Sequence, residues 1–214
     1  MSTIKDGLKL PSNRFGKVEI PNTKRREFPD FFVEMGYKKG VEVGTYRGDF
    51  TRHFASKELE IYTVDPWMSY SEYGHPRVHS QERQDKIYAR AKRCLAPYPN
   101  AHIIKKTSME AVKDFENESL DFVYIDGHHG FKWVTEDIYE WSKKVKIGGI
   151  VSGHDYGLRR AESLPNRPMT MQVKIVIDAY TLAFDIKKWY VLGRAERREG
   201  EMREDYRSWF WFRK

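Results

Sequence analysis

Three short stretches carry residue types from which a site could be built. In Glu42-Val43-Gly44-Thr45-Tyr46-Arg47-Gly48, glycines punctuate the passage from an apolar run into a helical pattern. Such a turn lets a ligand approach the backbone closely, at a helix amino terminus whose free N–H groups favour anions. The spacing is not that of a dinucleotide-binding GxGxxG loop, because Thr45 and Tyr46 fill its middle, and an ordinary strand–helix turn would use the same residues. Asp65 follows the next apolar run, just over twenty residues beyond Gly44. An acid there can accept hydrogen bonds from both hydroxyls of a ribose. Asp65-Pro66 alone is also a common turn pair, but beside the glycine turn it favours a ligand. The third stretch is split between Asp126-Gly127-His128-His129 and His154-Asp155, each after an apolar run. One histidine after a strand is more often structural; three in a shared crevice with two acids point to proton transfer.

These residues need a scaffold that gathers strand ends. Lys39–Gly44, 61–64, 101–104, 120–125 and 150–152 read as strands, each short, apolar and bounded by turn formers. Helical patterns alternate with them. One is predicted from Glu27 to Met35, another behind the glycine turn through Phe50 and Phe54. Ser80 caps a third that carries Ile87, Ala91, Cys94 and Leu95, and a fourth spans Met109 to Phe115. Phe131, Val134, Ile138, Trp141 and Val145 recur at helical spacing, with Gly148-Gly149 as the turn that follows. Thr170 caps a last helix with Val173, Val176, Ile177, Tyr180 and Phe184 on one side. Lys188–Leu192 and Ser208–Phe212 have no helix between them and form an antiparallel hairpin. The fold class is therefore α/β: a doubly wound, mostly parallel, Rossmann-like sheet with a C-terminal antiparallel hairpin. Residues 1–26 read as an N-terminal arm or cap, and 27–214 as a single domain.

Glu42-x-Gly44-x-x-x-Gly48, Asp65, Ser108 and Asp126-Gly127, in that order, resemble the S-adenosylmethionine site of class I methyltransferases. The resemblance runs from about residue 27 to the end of the chain. Asp126-Gly127-His128-His129-Gly130-Phe131 is similar to a DGxHxY signature, and the stretch from Gly148-Gly149 to His154-Asp155-Tyr156 to a GG…GHDY one. Both occur in small-molecule O-methyltransferases that include the macrolide-sugar, macrocin-like enzymes. Phe131 departs from the usual Tyr and Lys132 from the usual Glu.

The resemblance implies a site residue by residue. Glu42, Gly44, Thr45, Tyr46 and Gly48 would shape the pocket for the methionyl part of S-adenosylmethionine. Asp65 would hold the ribose, with Trp67 shielding it. Ser108 and Met109 would border the adenine, although Ser108 also suits a helix N-cap. Gly127 and His128 would lie beside the sulfonium. Asp126, His154 and Asp155 occupy the positions that bind Mg²⁺ in metal-dependent relatives; two carboxylates suit Mg²⁺, while a His ligand suits Mn²⁺ better. A metal lowers the pKa of a bound hydroxyl, and His129 is the first candidate for the base, with His128 and His154 as rivals. The implied acceptor is a hydroxyl of a small molecule, a sugar or glycan.

Composition sets the outer bounds. The chain has 214 residues, enough for one full core. Aromatic residues make up 14%, which excludes a disordered chain. The only cysteine, Cys94, excludes an internal disulfide framework. No apolar stretch is long enough to span a bilayer, and the amino terminus lacks the apolar core of a signal peptide, so a soluble, cytoplasmic protein is expected. The net charge of +7 raises RNA or cap methylation as an alternative, but the basic residues are dispersed, which argues against nucleic acid. A non-catalytic protein on the same cofactor fold is the other alternative, disfavoured by the intact Asp126 and Asp155. A lid is expected around Trp67, Tyr70, Tyr73 and His75, and the aromatic run 209–212 is read as core or a homodimer contact.

Overall fold

A computed structural model describes residues 3–69, 80–157, 159–160, 169–196, 198–201 and 206–214. Much of the expected lid (70–79) and most of the loop at 157–170 lie outside the described residues. Strands β1 (Lys17–Ile20), β2 (Lys39–Val43), β3 (Glu60–Val64), β4 (Ala101–Ile104), β5 (Leu120–Ile125), β6 (Val145–Gly153), β9 (Trp189–Leu192) and β10 (Trp209–Phe212) form one eight-stranded sheet. A separate pair, β7 (Arg159–Arg160) and β8 (Met169–Met171), is antiparallel.

The sheet order is β1-β9-β10-β6-β5-β2-β3-β4. Strands β2 to β6 pair in parallel, as their alternation with helices predicts. Strand β10 runs antiparallel between β6 and β9, which makes the expected C-terminal hairpin. The chain winds outward from β2 to β4, then crosses back to β5 on the other side. That reversal opens a crevice at the carboxyl ends of β2 and β5, where ligands bind in open α/β sheets. Gly44 sits at this point with φ +97, and a Cβ there would lie 2.1 Å from the Asp126 carbonyl oxygen. Only glycine lets the two strand ends come so close.

Both sheet faces are covered. On one, α6 (Phe131–Ser142) and α7 (Val173–Ala183) bury Ile138, Trp141 and Ile177 against Val41, Val123 and Val151. On the other, α2 (Phe28–Glu34) and α3 (Thr51–Ala55) bury an aromatic layer against Phe122, Tyr124 and Phe210. Phe32 lies 4.4 Å from Phe122 and Phe50 4.7 Å from Tyr124, centroid to centroid. The run 209–211 is core: Trp209 and Trp211 face the first layer and Phe210 the second. Helix α4 (Gln81–Leu95) begins at the Ser80 cap and packs Ile87 and Ala91 on Trp67.

Several local expectations are corrected. The stripe on α6 holds for Val134, Ile138 and Trp141, but Phe131 is 48% exposed at the first helical position, and Val145 belongs to β6. Gly148-Gly149 lies inside β6, because Gly148 donates to the Arg213 carbonyl and Arg213 donates back to Gly149, each at 2.8 Å. Helix α7 starts after Gln172 rather than after Thr170, and the Gln172 side chain makes no cap hydrogen bond but accepts from Phe131 N–H at 2.6 Å. Thr107, not Ser108, caps α5 (Ser108–Ala111): its hydroxyl accepts from Glu110 N–H while the Glu110 carboxylate accepts from Thr107 N–H. The N-terminal residues contribute α1 (Ile4–Gly7), the edge strand β1 paired in parallel with β9, and a 3₁₀ turn at Arg25–Glu27.

Candidate functional site

Glu42, Asp65 and Asp126 stand at or just beyond the carboxyl ends of β2, β3 and β5. Glu42 is 1% exposed. Its Oε2 accepts from the Thr51 hydroxyl and, at 3.2 Å, from the Thr63 hydroxyl. Burial pushes its carboxyl up to about 8 against those hydrogen bonds. Thr45, predicted to touch a cofactor, turns its hydroxyl inward to Thr63. The turn above it is tied to Asp65, whose two carboxylate oxygens accept from Tyr46 N–H at 2.9 Å and Trp67 N–H at 2.8 Å. Trp67 Nε1 in turn donates to the Tyr46 carbonyl at 2.8 Å. Trp67 is 1% exposed and wedged against α4, so its indole fixes the loop from below. Tyr46 (φ 51), Trp67 (φ 42) and Asp155 (φ 57) hold left-handed backbone, as do Asn22, Glu58, Glu118 and Asp185 elsewhere in the chain.

The neighbouring notch lies between α5, which follows β4, and α6, which follows β5. Ser108 donates its hydroxyl to Asp137 Oδ1 and accepts from Trp141 Nε1 at 2.8 Å, which ties α5 to α6. Burial raises the Asp137 carboxyl to about 7. Met109, the next residue, is half-buried. Gly127 has no positive φ, and a Cβ there would meet Val43 at 3.6 Å and Asp137 at 3.7 Å, ordinary contact distances. The backbone does not demand glycine at this position, so its effect is to leave the notch open.

The third group gathers Asp126, His129, His154 and Asp155. His129 Nε2 lies 2.9 Å from Asp155 Oδ2 and 3.9 Å from Asp126 Oδ1. His154 Nδ1 lies 3.2 Å from Asp155 Oδ1 and 3.8 Å from Asp126 Oδ1. Burial opposes charge on His129, but Asp126 and Asp155 outweigh it and raise the imidazole to about 10. Against its own burial, the two histidines hold Asp155 well below the usual carboxylate range. His128 behaves oppositely: burial and the charge of His129 lower it to about 4, so it is neutral. It stacks on Trp133 at 3.9 Å and accepts from Gly130 N–H at 2.9 Å. A cavity of about 10 Å³ adjoins the group, lined by Asp126, His128, His129, His154 and Trp209 among others.

The donor set fits a divalent cation. Asp126, His154 and Asp155 each offer one ligand atom, all within 4.8 Å of one another. The buried Nε2 of His129 beside them has no aligned hydrogen-bond partner among the described residues, despite its proximity to Asp155. Two carboxylates with imidazole suit Mn²⁺ at least as well as Mg²⁺.

The structure thus gathers the predicted residues along one sheet edge and adds others. Arg25 reaches in from the N-terminal segment, with Nη1 3.2 Å from Asp126 Oδ2. Thr51 and Thr63 hold Glu42, and Asp137 holds Ser108. A signal for Asp137 existed in the sequence: it is an acid within the buried 134-138-141 stripe. Arg25 had none.

Residues 41–156 match the family described as Methyltransferase domain, more than half of the 214 residues. The chain belongs to that family. This methyltransferase-family chain is also 30% identical over 128 residues to the uncharacterized protein y4gI of Sinorhizobium fredii, an alignment that covers 56% of the chain but 13% of that much longer protein. Among solved structures, it is similar to an rRNA methylase from Streptococcus thermophilus (TM-score 0.59, 12% identity, covering 89% of this chain and 97% of that one). It is also similar to the O-methyltransferase from Bacillus cereus in complex with SAH (TM-score 0.56, 14% identity, 86% and 78% covered). At such identities the likeness establishes the fold. No helix among the described residues is long and apolar enough to cross a membrane.

Proposed function

We propose that this methyltransferase-family chain transfers a methyl group from S-adenosylmethionine to a hydroxyl of a small molecule, a sugar or glycan, with Mg²⁺ or Mn²⁺ at Asp126, His154 and Asp155. Within the family, the likeness of 126–131 to DGxHxY and of 153–156 to GHDY supports the small-molecule O-methyltransferases as its group. The observation that carries the reading is the convergence of three stations on one sheet edge. The Glu42 pocket and the Asp65 loop adjoin the notch kept open by Gly127, and the acid–histidine cluster completes the row.

Asp65 keeps a free lone pair on each oxygen after its two backbone hydrogen bonds, enough to accept from both ribose hydroxyls. Ser108 and Met109 border the adenine, and the neutral His128 adds no positive charge beside a sulfonium. A hydroxyl must lose its proton as it attacks the methyl carbon, and a bound divalent ion supplies acidification of that hydroxyl. Asp126 and Asp155 hold His129 as an imidazolium, and it would accept a proton only with an ion bound to those two carboxylates.

Calorimetry with S-adenosylmethionine and S-adenosylhomocysteine tests the base of the reading, which falls if neither binds. The metal is separable. Turnover of a hydroxyl acceptor should drop at least tenfold on chelation and in Asp155→Ala; unchanged turnover in both removes the ion from the proposal.

A further inference from the structure

Arg25 lies outside the residues that carry the family match, on the 3₁₀ turn at Arg25–Glu27. Its guanidinium sits over the Phe50 ring, 4.8 Å from the centroid, while Nη1 contacts Asp126. Phe50 is itself packed on Tyr124 in the buried aromatic layer. The arginine is therefore held by a fixed aromatic face, and its side chain still keeps 39% exposure while in contact with Asp126 at the end of β5.

The charges around it pose a requirement. Glu42 and Asp126 stand at neighbouring strand ends where the methionyl tail of the donor would lie. That tail brings an ammonium, which Asp126 suits, and a carboxylate, which Asp126 repels, while Glu42 is buried and keeps its proton up to about pH 8. A cation must face the carboxylate, and a guanidinium offers it a planar two-pronged partner. Burial, then the charges of Arg26, Arg52 and Arg25, hold His53 below its ordinary value.

We infer that Arg25 binds the carboxylate of the donor's methionyl tail, so that the N-terminal segment completes the donor site. The inference rests on the donor reading above. Calorimetry with two probes separates the two. S-adenosylhomocysteine has the amino-acid tail, whereas 5′-methylthioadenosine keeps the adenosine and thioether but lacks it. Arg25→Gln should weaken S-adenosylhomocysteine at least tenfold and leave 5′-methylthioadenosine within twofold of wild type. Arg25→Lys should recover part of the loss, since it restores the charge without the fork. Unchanged S-adenosylhomocysteine affinity in Arg25→Gln overturns the inference. So does an equal loss for both probes, which would mark Arg25 as a support for Phe50 and Asp126. Wild-type protein that binds neither probe overturns the donor reading and takes this inference with it.

Discussion

Glu42 shows what it costs to keep an acid at the base of the crevice. Its carboxyl rises from an ordinary 4.5 to about 8 because burial disfavours the charged form. Between those two values the folded chain binds the proton and the unfolded chain does not. This contribution to stability is therefore intact below about pH 4.5 and lost as pH rises through 8. Glu42→Gln keeps the shape and removes the ionisation. In urea unfolding, the variant should gain on wild type by roughly 4 kcal/mol between pH 5 and pH 9. A difference that does not change with pH would show that Glu42 ionises freely in the fold. Two glycines give a second contrast. Gly44→Ala forces a Cβ to 2.1 Å from a carbonyl oxygen and should prevent folding, whereas the Cβ of Gly127→Ala fits at 3.6 Å. Gly127→Ala should melt within a few degrees of wild type and lose donor affinity. Equal melting losses in both would mean that position 127 matters for packing instead.

At the level of elements, the strands β2 to β5 and the cap of α4 were legible because their signals are local: short apolar runs, turn formers and a serine before a helix. The errors fell where a distant partner decides. Gly148-Gly149 looks like a turn, yet the main chain at Arg213, some sixty-five residues on, holds both glycines in the sheet. Ser108 looks like a cap, but Thr107 has the partner three residues later that completes the box. The site divides the same way. Glu42, Asp65, Asp126 and Asp155 lie at the ends of recognisable strands, while Arg25 comes from a segment whose alternation is confined to the four residues of β1, with Val18 and Ile20 buried. Strand β10 reaches the site too, since Trp209 Nε1 donates to the His154 carbonyl at 3.0 Å. Trp209→Phe removes that hydrogen bond from a buried position. It should cost about 1–3 kcal/mol in chemical denaturation, because the carbonyl is left unpaired. No measurable loss would mean that the His154 carbonyl finds another donor.

Across the whole molecule, the N-terminal residues are what the composition and the family match leave unexplained. They close the sheet at β9 and bury Ile4, Val18 and Ile20, each at 1% exposure or less. Trp189 Nε1 donates to the Phe15 carbonyl at 3.1 Å, and Lys188 Nζ to that of Leu8 at 2.9 Å. Burial of three large aliphatic side chains contributes about 5–9 kcal/mol as an upper figure. That is comparable with the whole stability of a typical domain, about 5–15 kcal/mol. Removal of residues 1–24, which spares Arg25, should therefore lower the melting temperature by about 10 °C or more or leave the protein insoluble, because the β9 edge and its apolar neighbours meet water. Circular dichroism on the purified truncation checks this against the full chain. A truncation that melts within about 3 °C of the full chain would show that β2 to β10 form a self-sufficient core and that the segment serves only to carry Arg25 to the site.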